Sequence, residues 1–341
     1  MKRLPYFIAF FWANILLLLA SSKGFSQPML DTVINWKTVS EVQLLMKTAP
    51  RQIMTFFYNP GEDTSRIMLD KTLNQKEICN YVNSRFYAIR IDVTTADSIE
   101  WFDQKKYALR TGSPFNELAI HLLGEKPVCP SLLFFNLEKA GSTFKGFKNR
   151  YEMRCILVYF FEEVDKTTPF ELWAKAYQIT YPPFGPPKNL ESPIKWHSLK
   201  EALALQKKNP KGLFINWYAR LNVGSMVILF NAFENPKVAK YMNEHFYCVR
   251  LDAHSKDTLY WDKAYFNEPL KGKFNQMALK QLDEKMKFPA LLFFDKNRKL
   301  TVIQQCYLGP LNFLALASYA GSGSYKTIKF KDFIKTFKAD F

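Results

Sequence analysis

Short apolar runs alternate along this chain with segments whose apolar residues recur every three or four positions. The runs at 53–58, 86–92 and 132–136, and again at 213–218, 246–252 and 291–295, predict buried strands. Thr38-x-x-Glu41 and Ser198-x-x-Glu201 are capping boxes, in which hydroxyl and carboxylate each satisfy a free amide; they open helices that run to about Lys47 and Lys208. Residues 235–246 show helical spacing, and 151–164 and 311–319 read as closing helices. The stretch after each of the strands 86–92 and 246–252, roughly 35 residues, reads as an insertion. A turn at 138–141 leads into one more strand.

The pattern is written twice. "NWKTVSE" at 35–41 matches "KWHSLKE" at 195–201, and "FYAIRID" at 86–92 matches "FYCVRLD" at 246–252, both at an offset of 160. "CPSLLFFN" at 129–136 matches "FPALLFFD" at 288–295 at an offset of 159, and Trp101 and Trp261 again lie 160 apart. Several matches at one spacing mean two copies of one unit. "YPPFGPPKNLESP" at 181–193, with five prolines, predicts a stiff linker between them. The expected organisation is a leader at 1–26, one α/β domain at 27–180, the linker at 181–193 and a second α/β domain at 194–341. Each domain is expected to hold a central mixed sheet flanked by helices.

Composition refines the setting. The 341 residues, 48% of them hydrophobic and 16% aromatic, can fill two sizeable cores. Lys2 and Arg3 precede an apolar stretch from Tyr6 to Ala20, and Gly24-Phe25-Ser26 supplies small residues for cleavage before Gln27. That is the form of a secretory signal, with an uncleaved anchor as the alternative. No later stretch reads as membrane-spanning, so the protein is expected to be exported and periplasmic, secreted or peripheral to the outer membrane. The net charge of +16 is scattered rather than gathered in one tract. With export, this argues against nucleic acid and for an acidic surface or partner, or for a plain solvated basic surface.

Chemistry is sparse. Five cysteines (Cys79, Cys129, Cys155, Cys248, Cys306) form no C-x-x-C, and the four histidines show no ligand spacing. No metal or cofactor is expected.

The second copy, with "FENPKVAKYMNEHFYCVRLDAH" at 233–254 and "FPALLFFDKNRK" at 288–299, resembles the thioredoxin family, above all the exported thioredoxin-like domains of Bacteroidetes. The first copy is more diverged. The resemblance implies two tandem thioredoxin-like domains and makes Pro130 and Pro289 the family's cis-prolines. It places the two catalytic cysteine positions at Glu62 and Ser65 in the first copy and at Asn222 and Ser225 in the second. Phe56 and Asn216 stand where the family often buries an acid. Disulfide exchange needs one thiolate to attack and a second thiol to resolve, and neither hydroxyl nor amide can do this.

The expectation is therefore a redox-inactive module that binds or scaffolds a protein or peptide partner in the cell envelope. A cleft around Pro130 or Pro289, with Phe288, Leu221 and Gly224 on the second copy, is the candidate peptide site. That second cleft is expected to be open, so that bulk at Gly224 would block a partner without disturbing the fold. Two alternatives stand beside it: a residual thiol–disulfide oxidoreductase using Cys129, and a structural accessory of an envelope assembly. Cys129 itself is either a reactive thiol or a packed small hydrophobe.

Overall fold

The computed structural model describes residues 33–137, 139–184, 192–261, 264–266, 269–270, 274–282 and 286–339. The leader at 1–26 and residues 185–191 of the linker lie outside them. No helix among the described residues is long and apolar enough to cross a membrane.

In the first half the chain runs through β1 (Trp36–Lys37), α1 (Val39–Thr48), β2 (Gln52–Tyr58), α2 (Asp63–Met68), α3 (Lys76–Arg85) and β3 (Phe86–Asp92). It continues through α4 (Glu117–Leu123), β4 (Ser131–Asn136), β5 (Lys139–Lys145), α5 (Arg150–Phe161) and α6 (Phe170–Thr180). The sheet order is β1-β3-β2-β4-β5, with β1, β3 and β2 parallel and β4 and β5 antiparallel. The second half repeats it with β6 (Trp196–His197), α7 (Leu199–Lys208), β7 (Gly212–Tyr218), α8 (Val223–Phe230), α9 (Pro236–His245) and β8 (Phe246–Asp252). Then come α10 (Gln276–Leu282), β9 (Ala290–Phe294), β10 (Leu300–Gln305), α11 (Pro310–Gly321) and α12 (Phe330–Thr336), in the sheet order β10-β9-β7-β8-β6. Each half is a thioredoxin-like unit, a mixed five-stranded sheet between helices.

Local chemistry explains the elements. Both capping boxes form: Thr38 Oγ1 accepts the Glu41 N–H while Glu41 takes the Thr38 N–H, and Ser198 and Glu201 repeat the arrangement. The interiors of β2 and β7 are fully buried, as strands covered on both faces must be. Alternate residues of β2 serve opposite layers. Ile53 and Phe57 join a core under α1 and α4, whereas Met54 and Phe56 face α3 and α5. The insertions after β3 and β8 are not featureless. Each carries a short hairpin and a helix, and the fully buried Asn116 and Asn275 fasten those helices by donating to two upstream carbonyls each.

Beyond the closing helices of the sequence reading, each half carries one more helix. Beyond α5 and α11 the chain turns through a left-handed residue, Glu163 (φ 55°) or Gly323 (φ 78°), and forms α6 or α12. Glycine adopts that conformation freely; Glu163 adopts it against its Cβ. After the turn at Glu163, α6 packs both on its own half, where Phe170 meets Phe144, and on α8 of the second half. As a result one continuous core cluster runs from Phe134 and Phe160 through Trp173 to Val227 and Phe293.

Candidate functional site

The loop after β2 or β7 and the start of the next helix form the site in each half. Glu62 and Asn222 are the N-caps of α2 and α8. Asn222 accepts the Ser225 N–H at 2.7 Å, which quiets one of the free amides of the first turn. Ser65 and Ser225 are buried, and each hydroxyl takes the N–H of the residue that leaves the strand, Asn59 at 3.2 Å and Ala219 at 3.5 Å. These serines tie loop to helix. Phe56 and Asn216 lie fully buried on the central strands, and neither Asn216 side-chain atom has a partner among the described residues.

Both expected cis bonds are present, Cys129–Pro130 and Phe288–Pro289, and both prolines are buried beside the loops. Cys129 is 9% exposed, and burial, with Glu62 and Asp92 nearby, pushes its thiol up to about 12. The other four cysteines are also free and buried. Burial raises Cys155 to about 12 and Cys306 to about 11, and it raises Cys248 further. Such thiols hold their protons at neutral pH, the opposite of what a nucleophilic cysteine needs. No cluster of metal-ligating side chains occurs among the described residues.

The second cleft is not open. Glu162, at the end of α5 in the first half, inserts its carboxylate at the start of α8. Its Oε1 accepts the Val223 N–H at 2.8 Å and its Oε2 the Gly224 N–H at 2.6 Å. These are orphan amides at the positive end of the helix, where a carboxylate is the favoured ligand. The rest of the contact follows from the same segment. Thr167 Oγ1 donates to the Tyr307 carbonyl at 2.6 Å, Asn312 Nδ2 donates to the Thr167 carbonyl at 3.0 Å, and Lys287 pairs with Glu163. Trp173 is fully buried; its ring meets Tyr307 edge-on at 5.3 Å, and its indole N–H bonds the Cys155 carbonyl.

This corrects the expectation for Gly224. It is buried rather than displayed, and a Cβ there would lie 2.9 Å from Glu162 Oε2 and 3.4 Å from Pro289. Leu221 does project, at 97% exposure, but Phe288 is half-buried against Phe274. Glu162 and α6 of the first half occupy the place where a peptide would lie in the second cleft.

The first cleft is uncovered among the described residues. Ile67 is 45% exposed where its counterpart Val227 is 0%, and Phe147 is 42% exposed where Tyr307 is 1%. Val128 is exposed as well, one residue before Cys129. Glu162, Trp173, Ile67 and Phe147 were missed in the sequence. A helical signal was available in Trp173, Ala176, Tyr177 and Thr180, which repeat at helical spacing after Pro169. Nothing local said that this helix would serve the other copy.

No protein-family model and no curated protein matches the chain. Among solved structures it is similar to a thioredoxin-fold protein from Helicobacter pylori, at 16% identity over 49% of this chain and 96% of the other, with a TM-score of 0.30. A thioredoxin from Thermus thermophilus matches at 18% identity over 37% of this chain and 85% of its own, with a TM-score of 0.28. A disulphide isomerase from Xylella fastidiosa matches at 13% identity over 43% and 95%, with a TM-score of 0.24. Strand order, paired cis-prolines and loop positions in the chain itself make each half a thioredoxin-like fold.

Proposed function

We propose that this protein is an exported, non-catalytic thioredoxin-like module of the cell envelope that binds a protein partner through the cleft of its first half. One observation carries the reading: of two equivalent clefts, the second is filled by Glu162 and α6, and the first leaves Ile67, Val128 and Phe147 exposed around the Cys129–Pro130 bond. Exposed apolar side chains grouped at one site favour a protein contact. The absence of chemistry is part of the proposal. Glu62, Ser65, Asn222 and Ser225 offer no thiol, and the raised Cys129 thiol supports packing over attack.

The test is crosslinking in intact envelopes from a photoreactive group placed at Phe147. Recovery of a defined adduct that Ile67→Lys abolishes is the expected result. No adduct from Phe147, with adducts formed instead from photoreactive groups placed on the opposite faces of the sheets, would transfer the reading to a structural accessory. Catalytic reduction of insulin that vanishes in Cys129→Ala would replace it with residual thiol chemistry.

A further inference from the structure

The contact inside the chain shows what a covering segment looks like, and the chain carries a second one. Residues 162–180 cover the second cleft. The equivalent stretch of the second half, 322–338, follows the same course: a helix end at Ser322, a left-handed Gly323, a short turn of 3-10 helix at Ser324–Lys326, then α12. Trp173, buried against Tyr307 of the second half, and Tyr177, buried beside it, correspond to Phe333 and Phe337, which stack at 5.7 Å and are only half-buried. The first cleft lacks a cover and the second covering segment lacks a cleft, among the described residues.

Charge distinguishes the two pairs. Segment 162–180 has four acids (Glu162, Glu163, Asp165, Glu171) against two lysines, and the loop and helix it covers, 219–230, carry Arg220 as their charge, with Lys287 beside them. Segment 322–338 has five lysines against Asp332, and the matching loop and helix of the first half, 59–70, carry Glu62, Asp63 and Asp70 against Arg66. Each segment is opposite in sign to the loop and helix it faces; the Phe147 wall of the first cleft adds Lys145 and Lys148, the latter's ammonium held by the carbonyls of Lys145, Gly146 and Phe147. The individual exchanges agree. Glu162, which would be repelled by Glu62 and Asp63, becomes Ser322. The Lys287–Glu163 ion pair becomes Val128 and Gly323, with no charge left over.

We propose that the first cleft binds segment 322–338 of a second copy of this chain, so that copies join head to tail. The inference rests on the reading of that cleft as a protein-binding site and names its partner. A contact between different faces repeats from copy to copy, building open rows or, where the rotation between copies closes, a ring. Asp63, Arg66 and Ile67 on α2, with Asp70 just beyond it, make a more polar outer face than Val223, Met226, Val227 and Phe230 on α8. The contact between copies is accordingly weaker than the one within the chain, and steered by charge.

Sedimentation of the chain from residue 27 onward, across micromolar to millimolar concentration, tests it. Association that grows with concentration and weakens roughly tenfold or more between low and high salt is expected. Asp63→Lys with Asp70→Lys should disable the cleft, and Lys331→Glu with Lys335→Glu should disable the segment; all four side chains are exposed. Each double variant should be monomeric, and mixing the two should give dimers and nothing larger, because one good cleft then meets one good segment. A wild type that stays monomeric throughout overturns the inference, as does association indifferent to both variants. If the monomer nonetheless forms the envelope adduct at Phe147, the binding site stands and its partner is another protein.

Discussion

At the scale of single residues, Glu162 has the largest consequences. Burial lifts its carboxyl to about 7, against the opposing pull of the Gly224 and Val223 amides and of Arg85. The folded form therefore binds a proton more tightly than the unfolded chain, whose glutamate titrates near 4.5. Stability from this group is complete below about pH 4.5 and is lost as pH rises through about 7. Chemical denaturation at pH 5 and pH 8 should show wild type losing up to about 2 kcal/mol on this account, with that part of the slope gone in Glu162→Gln. The thiols give a second measurement. All five cysteines are buried, so a thiol reagent at pH 8 should label native protein slowly and label five groups once it is unfolded. Rapid native labelling of Cys129 would contradict its raised pKa.

Helix starts carry the argument at the next scale up. α8 satisfies its first amides with Asn222 from its own loop and Glu162 from another half; among the described residues α2 has neither a side-chain cap bond nor a visitor. Matching substitutions should therefore differ sharply. Gly224→Arg forces bulk between Glu162, Pro289 and Tyr307 and should cost about 1–3 kcal/mol, a loss seen in the thermal midpoint. Thr64→Arg, at the same position of the exposed α2, should stay within about 0.5 kcal/mol of wild type. The capping boxes behave alike in both copies, and Thr38→Ala and Ser198→Ala should each cost about 1 kcal/mol.

For the whole molecule, the two sheets are separate but the packing between them is continuous. We propose the boundaries 27–180 and 194–341 for the two units, with 181–193 as the linker. Each holds a complete sheet and its own helices, so each should fold when expressed alone. Neither should reach the stability of the intact chain, because separation uncovers Trp173 on one side and Tyr307 and Val227 on the other. Mixing the halves should restore a joint transition, and Glu162→Lys in the first half should prevent it. Independent transitions at unchanged midpoints in the intact chain would refute this coupling.

The family resemblance supplied both cis-proline positions; the sequence by its own pattern determined the repeated unit, its mixed sheets and its capping boxes. Those features are set by local pattern: the period of apolar residues, a hydroxyl and a carboxylate three apart, and a motif recurring at one spacing. The four positions that the resemblance singled out fall at helix starts: Glu62 and Asn222 are N-caps, and Ser65 and Ser225 lie in the first turns of α2 and α8. The tertiary structure decided which cleft is covered. Glu162 lies about sixty residues from the amides it binds, beyond a stretch rich in proline, and no periodicity relates the two. A helix end supplies free N–H groups, but the sequence does not say whose carboxylate will reach them. Trp173 and Phe333 sit at equivalent places in the repeat with similar patterns. One is buried because another half stands beside it.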